Sequence, residues 1–205
     1  MKTIFAIIFT TTLTTLSFSS FAWSKPDYVR IRNITYAGSG CPVGTVAENI
    51  SPDFNAFTLE FDSFVAETGP GHPLSDSRKN CSIVLSIDHP YGWQYTVNSV
   101  DYAGYVNLDS RVQATQRSLY YFQGQSATAK LETSFYGPTS RDYRIRDVLG
   151  ISGQVWSPCG ASRALILNAQ VIADNYRNPN GRGVITIDSI WAYTRHRYGI
   201  QWRRC

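Results

Sequence analysis

The chain has 205 residues and a net charge of +4, with 14% aromatic and only 17% charged side chains. That length suffices for a single domain with a sizeable core. No Lys/Arg-rich run or nucleic-acid motif is present, which argues against a nucleic-acid partner.

The first residues, "MKTIFAIIFTTTLTTLSFSSFAWSK", run from a lysine through an uncharged apolar stretch to small residues at Ser20 and Ala22. This is the order of a secretory signal, with cleavage expected after Ala22. Residues 1–22 are therefore read as a signal peptide and 23–205 as a single exported domain, extracellular or periplasmic. Nothing later in the chain approaches a membrane-spanning run. The exported part holds all four cysteines, Cys41, Cys81, Cys159 and Cys205. An even count in an exported chain points to two disulfides rather than metal ligands. Of the three pairings, Cys41 with Cys81 and Cys159 with Cys205 is favoured, because each pair brackets a run of candidate strands.

Taken in chain order, the strand signals begin with "YVRIRNITY". From Cys41 to Asp53 the pattern lapses, and a short helical turn is expected in that stretch, where "SPDFNA" could cap it. "FTLEFDSF" then sets Phe57, Leu59 and Phe61 against Thr58, Glu60 and Asp62, a period of two. "DSRKNC" is read as the turn and staple that start the next strand: Arg78 and Lys79 face solvent while Cys81 enters the inner face. The cluster has no neighbouring histidine, and a bonded sulfur is no nucleophile. "CSIVLSI" and "WQYTVNS" alternate in the same way around "DHPYGW", whose Pro90 and Gly92 make a short connection between neighbours.

Beyond these lie "AGYVNLD", "RVQATQRSLYYF", "ATAKLETSFY", "DYRIRDV", "RALILNAQVIA" and "GVITIDSIW", with "VLGISGQVWSPCG" as a long loop. About ten short strands separated by turn residues predict an all-β fold, a two-layer antiparallel β-sandwich.

Function is approached through clusters. The aromatics are in excess, and several fall in turn-rich segments. Rings give flat apolar area with a polar edge, suited to sugar faces and to protein partners. Tyr91, Trp93 and Trp156, in "DHPYGWQY" and "VWSPCG", are the candidate binding aromatics, and Arg78 is a candidate surface contact. From Arg141 onward ten arginines stand against four aspartates, so a basic face could meet an acidic glycan or an anionic surface.

Glu60 and Asp62 are candidate catalytic carboxylates, since glycoside hydrolysis needs two carboxyl groups about 5 to 10 Å apart. Asp53, Glu60, Asp62 and Asp188 are candidate calcium ligands, the one cofactor the acids suggest. His72, His89 and His196 have no metal-ligand spacing. The first reading is thus a secreted, non-catalytic protein contacting cell-wall polysaccharide or another surface component. The alternatives are a carboxylate-dependent glycoside hydrolase, and a secreted inhibitor or toxin acting on an extracellular protein.

The ordered motifs "GSGCPVGTV", "FDSFVAETGPG", "SRKNCSIVLSIDHPYGWQYTV", "GYVNLD", "YYFQGQS", "WSPCG" and "WRRC" resemble those of domain of unknown function family 4360, secreted proteins of fungi and bacteria. The likeness spans essentially the whole exported chain and every cysteine. It implies a small extracellular protein with paired disulfides, and no activity to carry over.

Overall fold

A computed structural model describes residues 25–62, 64–187 and 196–205. The expected signal peptide, its cleavage point and Asp188 lie outside these residues. Among the described residues twelve strands follow one another: β1 (Arg30–Ala37), β2 (Val46–Ile50), β3 (Ala56–Phe61), β4 (Val65–Thr68), β5 (Arg78–Asp88), β6 (Trp93–Leu108), β7 (Gln113–Phe122), β8 (Ala129–Tyr136), β9 (Thr139–Val148), β10 (Leu165–Asp174), β11 (Gly183–Thr186) and β12 (His196–Arg204). Among the described residues, the helical elements are two three-residue 3-10 turns, Leu74–Asp76 and Ile151–Gly153.

The strands form two antiparallel sheets, one ordered β1-β5-β10-β7-β8 and the other β2-β3-β12-β6-β11-β4, with β9 on the far side of β6. Alternation explains why they face one another. Cys81, Ile83, Leu85 and Ile87 of β5 point inward beside Leu165, Leu167, Ala169 and Val171 of β10. Phe57, Leu59 and Phe61 of β3 do so from the opposite sheet, and all these residues join one buried core.

The "DSRKNC" cluster forms the turn and staple that start β5, with Arg78 exposed, while Lys79, expected to face solvent, lies on the same side as Cys81 and is half-buried because alternation places it there. The 3-10 turn Leu74–Asp76 leads into β5, Ser77 Oγ donates to Leu74 O at 2.8 Å, and Lys79 pairs with Asp76 at 2.8 Å. Cys81 is buried and bonded to Cys41, with a Cα separation of 5.4 Å. Cys159 and Cys205 form the second bridge, at 5.7 Å. Both pairings are the ones the strand spacing favoured.

Four further features differ from the sequence reading. The helical turn expected after Cys41 is replaced by β2, an edge strand on β3 from Val46↔Phe61 to Ile50↔Phe57. An edge strand needs no buried alternation, and β2 has none. "WQYTVNS" and "AGYVNLD" are halves of one strand, the 16-residue β6. Against β12 the register shifts between Gly199↔Ser99 and Ile200↔Val97, leaving Asn98 as an extra residue. That bulge switches the inward set from Trp93, Tyr95 and Val97 to Val100, Tyr102 and Val106. The short "DHPYGW" connection does not join paired neighbours, because β5 and β6 belong to different sheets. Lastly β12, built from the closing "HRYGIQWRR", occupies the middle of its sheet between β3 and β6.

Candidate functional site

One end of the sandwich gathers the two segments that sequence singled out for their aromatics. The β5–β6 connection turns at Pro90 and at Gly92, whose φ of 79° lies in the left-handed region open to glycine. Cys205 N donates to Gly92 O at 3.0 Å, and Ser157 N donates to Tyr95 O at 2.8 Å, so "DHPYGW" and "VWSPCG" are pinned to the start of β6. The Cys159–Cys205 bridge closes this end.

The turn presents Tyr91 with 87% of its surface exposed. It borders a concavity of about 270 Å³ whose lining includes Tyr28, Arg30, Arg32, Asp88 and Trp93. The rim is polar and ordered by charge. Arg32 Nε donates to Asp88 at 2.9 Å, Arg30 lies 3.6 Å from the same carboxylate, and the Arg30 guanidinium sits 5.6 Å above the Tyr28 ring. Asp88, by accepting from Arg32 and by its charge, raises the Arg32 pKa above its usual value. An exposed ring beside a hydrogen-bonding rim can hold the apolar face of a sugar and its hydroxyls together.

The other candidate residues are placed differently. Trp93 forms the floor of the concavity but is 2% exposed, with the Arg204 guanidinium 4.1 Å from its ring centre. It supports the site and offers a ligand almost no ring surface. Trp156 is half-buried beneath Arg203, 3.9 Å from its ring centre. Arg203 and Arg204 are successive residues of β12 and so point to opposite faces, which puts Trp156 and Trp93 on opposite sides of the sheet. Arg203 also donates to Gln94 Oε1 at 2.9 and 2.6 Å. Arg78 begins β5 while Asp88 ends it, a separation of about 33 Å along the strand. Arg78 donates to Gln170 Oε1 at 3.1 Å and is not part of this end.

Glu60 and Asp62 are exposed at the end of β3 and just beyond it. Alternation puts them on one side, about 7 Å apart, but neither lines the concavity below Tyr91. Asp53 accepts from Ser51 Oγ at 2.5 Å and from Asn55 N at 3.1 Å, bonds that hold its pKa below the ordinary carboxylate value. Its oxygens thus serve a local turn. Among the described residues no three His, Cys, Asp or Glu side chains assemble as metal ligands, and Asp188 is not among them.

Two features escaped the sequence reading. The rim residues Tyr28, Arg30 and Arg32 were seen only as part of a strand. His196, which the sequence marks only as lacking metal-ligand spacing, is wholly buried between the sheets: Nε2 is 3.0 Å from Gln116 Nε2 and Nδ1 is 3.2 Å from Tyr198 Oη. Its place in a period-two run with Tyr198 was the available signal.

Fold, bridges and polar-rimmed end define a disulfide-bonded antiparallel β-sandwich with a shallow surface site. The chain belongs to the family described as Domain of unknown function (DUF4360), whose model matches residues 27–205. It is 41% identical over 180 residues to an uncharacterised secreted protein of Arthroderma benhamiae, covering 88% of this chain and 73% of that one. Among solved structures it aligns with the enzymatically active domain of bacteriophage CBA120 tailspike protein 4 at 16% identity and a TM-score of 0.29, covering 83% of this chain and only 20% of the tailspike chain. It also aligns with TmCBM61 in complex with β-1,4-galactotriose at 11% identity and a TM-score of 0.25, covering 85% of this chain and 90% of the other. At such distances neither structure bears on the ligand of this chain.

Proposed function

We propose that this is a secreted, non-catalytic binding protein that contacts cell-wall glycan or another surface component at the concavity beneath Tyr91. Export is supported by the leader-like first 22 residues, the two disulfides and the secreted relative. The observation that carries the binding reading is the Tyr91 ring, 87% exposed on a turn fastened by Cys205 and facing a polar rim. A large exposed ring costs solvation unless a partner covers it, and aromatic anchors commonly dominate binding. Tyr28 and the Arg30–Arg32–Asp88 group supply the hydrogen bonds that would orient a sugar.

Retention of the exported chain on a panel of insoluble neutral and acidic polysaccharides tests this reading. Tyr91→Ala is expected to weaken retention on the bound glycan about tenfold, the effect of losing about 1.4 kcal/mol. Retention unchanged in that variant removes the site. Hydrolysis by Glu60 and Asp62 finds less support, because both are exposed and neither lines the concavity below Tyr91 or the one above Ala103, where a sugar could be held away from water.

A further inference from the structure

A second surface lies on the outside of the sheet that contains β6. Strand β9 pairs along β6 with Arg146 opposite Asp101 and Arg144 opposite Ala103. From the other side β12 sets Arg197 opposite the same Asp101. Arg144 and Arg146 are two residues apart and so point outward together, about 7 Å from each other, while Arg197 stands two strands away at about 10 Å. Because Ala103 has almost no side chain, a depression of about 460 Å³ opens above it, bounded by Asp101, Arg144, Ile145, Arg146 and Arg197.

The charges in this depression do not balance. Asp101 lies 3.7 Å from Arg146 Nε and 3.7 Å from Arg197 Nη1, close enough for attraction but beyond hydrogen-bond reach. One carboxylate thus faces two guanidinium groups, and among the described residues Arg144 has no ion-pair partner. Among the described residues that line it, three cations stand against the one anion Asp101, and the next acid on the same face of β9, Asp142, lies one outward position beyond Arg144, so the concave floor keeps a positive excess. Arg146 Nη2 donates to Ser99 Oγ at a long 3.5 Å, and partly exposed forks so lightly engaged match carboxylates in a planar, two-pronged fashion.

We propose that this groove binds an acidic polysaccharide through carboxylate groups borne on successive sugars. The separate cations, spread over about 7 by 10 Å, suit anions repeated along a chain better than one compact anion. The groove is concave and keeps a carboxylate at its centre, which disfavours a flat sheet of lipid phosphates. This surface does not depend on the reading of Tyr91: both draw on β6 and β12, but at positions well apart along those strands and with no shared residue.

The test uses the exported, oxidised chain in affinity electrophoresis through gels containing polygalacturonate or alginate, with neutral galactan and anionic lipid vesicles as separate arms. Wild type is expected to be retarded by at least one polyuronate and not by galactan through this groove, with retardation falling as salt rises. The double variant Arg144→Gln/Arg146→Gln should lose about tenfold in polyuronate affinity while keeping its melting temperature. Asp101→Asn removes the internal competitor, so it should bind severalfold more tightly while keeping the wild-type melting temperature, exposed pairs at this distance adding little stability. No retardation by either polyuronate, wild-type binding in the double variant, or weaker binding in Asp101→Asn would each overturn the proposal. Tighter binding to vesicles than to polyuronate would also overturn it, in favour of a membrane surface. Loss of neutral-glycan retention in Tyr91→Ala alone bears only on the other site.

Discussion

His196 is a buried polar group within the core, with Phe61, Tyr102 and Tyr198 rings around it at centroid distances of 5.3, 5.1 and 5.9 Å. Its imidazole contacts the Gln116 amide, whose oxygen accepts from Tyr143 Oη at 3.3 Å. Among the described residues no anion faces it to stabilise a proton. Burial therefore lowers its pKa from 6.5 to about 3, and the same burial drives the hydroxyls of Tyr143 and Tyr198 upward, so that they remain neutral donors beside it. The sign of the consequence follows from proton binding. Between about pH 6.5 and pH 3 the unfolded chain holds a proton on this residue that the folded chain does not. The stability tied to neutral His196 is thus complete above pH 6.5 and is lost as pH falls towards 3. For this one group the loss between pH 7 and pH 5 is about 2 kcal/mol. Urea unfolding at the two pH values checks it: wild type should show that drop, and His196→Gln should show a flatter dependence even if it is less stable throughout. An equal slope in both proteins would assign the pH effect to other groups.

Strand β6 organises one whole sheet, pairing with β12 and β11 along one edge and with β9 along the other. Its middle is narrow by necessity. Gly104 lies opposite Tyr143, whose hydroxyl passes over it to donate to Thr186 O at 2.7 Å. A Cβ on Gly104 would come within 2.0 Å of that carbonyl and 2.7 Å of the hydroxyl. Gly104→Ala is therefore expected to cost about 1–3 kcal/mol by overpacking, lowering the melting temperature by about 3–10 °C in a thermal scan. A melting curve like wild type would mean that β9 and β11 can part without loss. The same strand explains what could be foreseen. Runs with one apolar face, such as those of β3, β5, β7 and β10, are legible because burial of alternate residues imposes their pattern. The halves of β6 look like separate strands because the bulge at Asn98 reverses the phase, and β12 is obscured by its glycine, its arginines and the matching register shift. Partition between sheets was not legible either, since a short turn after β5 reads alike whether the chain returns to its neighbour or crosses over. The Tyr91 turn was visible in Pro90 and Gly92, but the burial of Trp93 and the opposite facing of Trp156 depend on register. The arginine groove depends on three strands that meet only in the folded sheet.

The two disulfides act on the whole molecule alike but on its surface differently. They join residues 40 and 46 positions apart, and on the chain-entropy account each removes about 4 kcal/mol of freedom from the unfolded chain. Cys41–Cys81 fastens the segment after β1 to the inner face of β5, seven residues before Asp88, or about 23 Å along the strand from the Tyr91 end. Cys159–Cys205 instead forms part of that end. It anchors the residue that follows β12, a strand internal to its sheet, and it keeps Cys205 N on Gly92 O beneath the turn that carries Tyr91. Double serine variants should separate the two contributions. Cys41→Ser/Cys81→Ser and Cys159→Ser/Cys205→Ser should lose similar unfolding free energy, read by denaturant titration. Only the second should also weaken retention on the glycan held at Tyr91 when both are assayed well below their melting temperatures, because only there does the released chain end leave the turn without its support. Polyuronate binding at Arg144 and Arg146 lies away from both bridges and should persist in either variant. Equal loss of neutral-glycan retention in the two would mean that global loosening, rather than the anchored turn, controls the site.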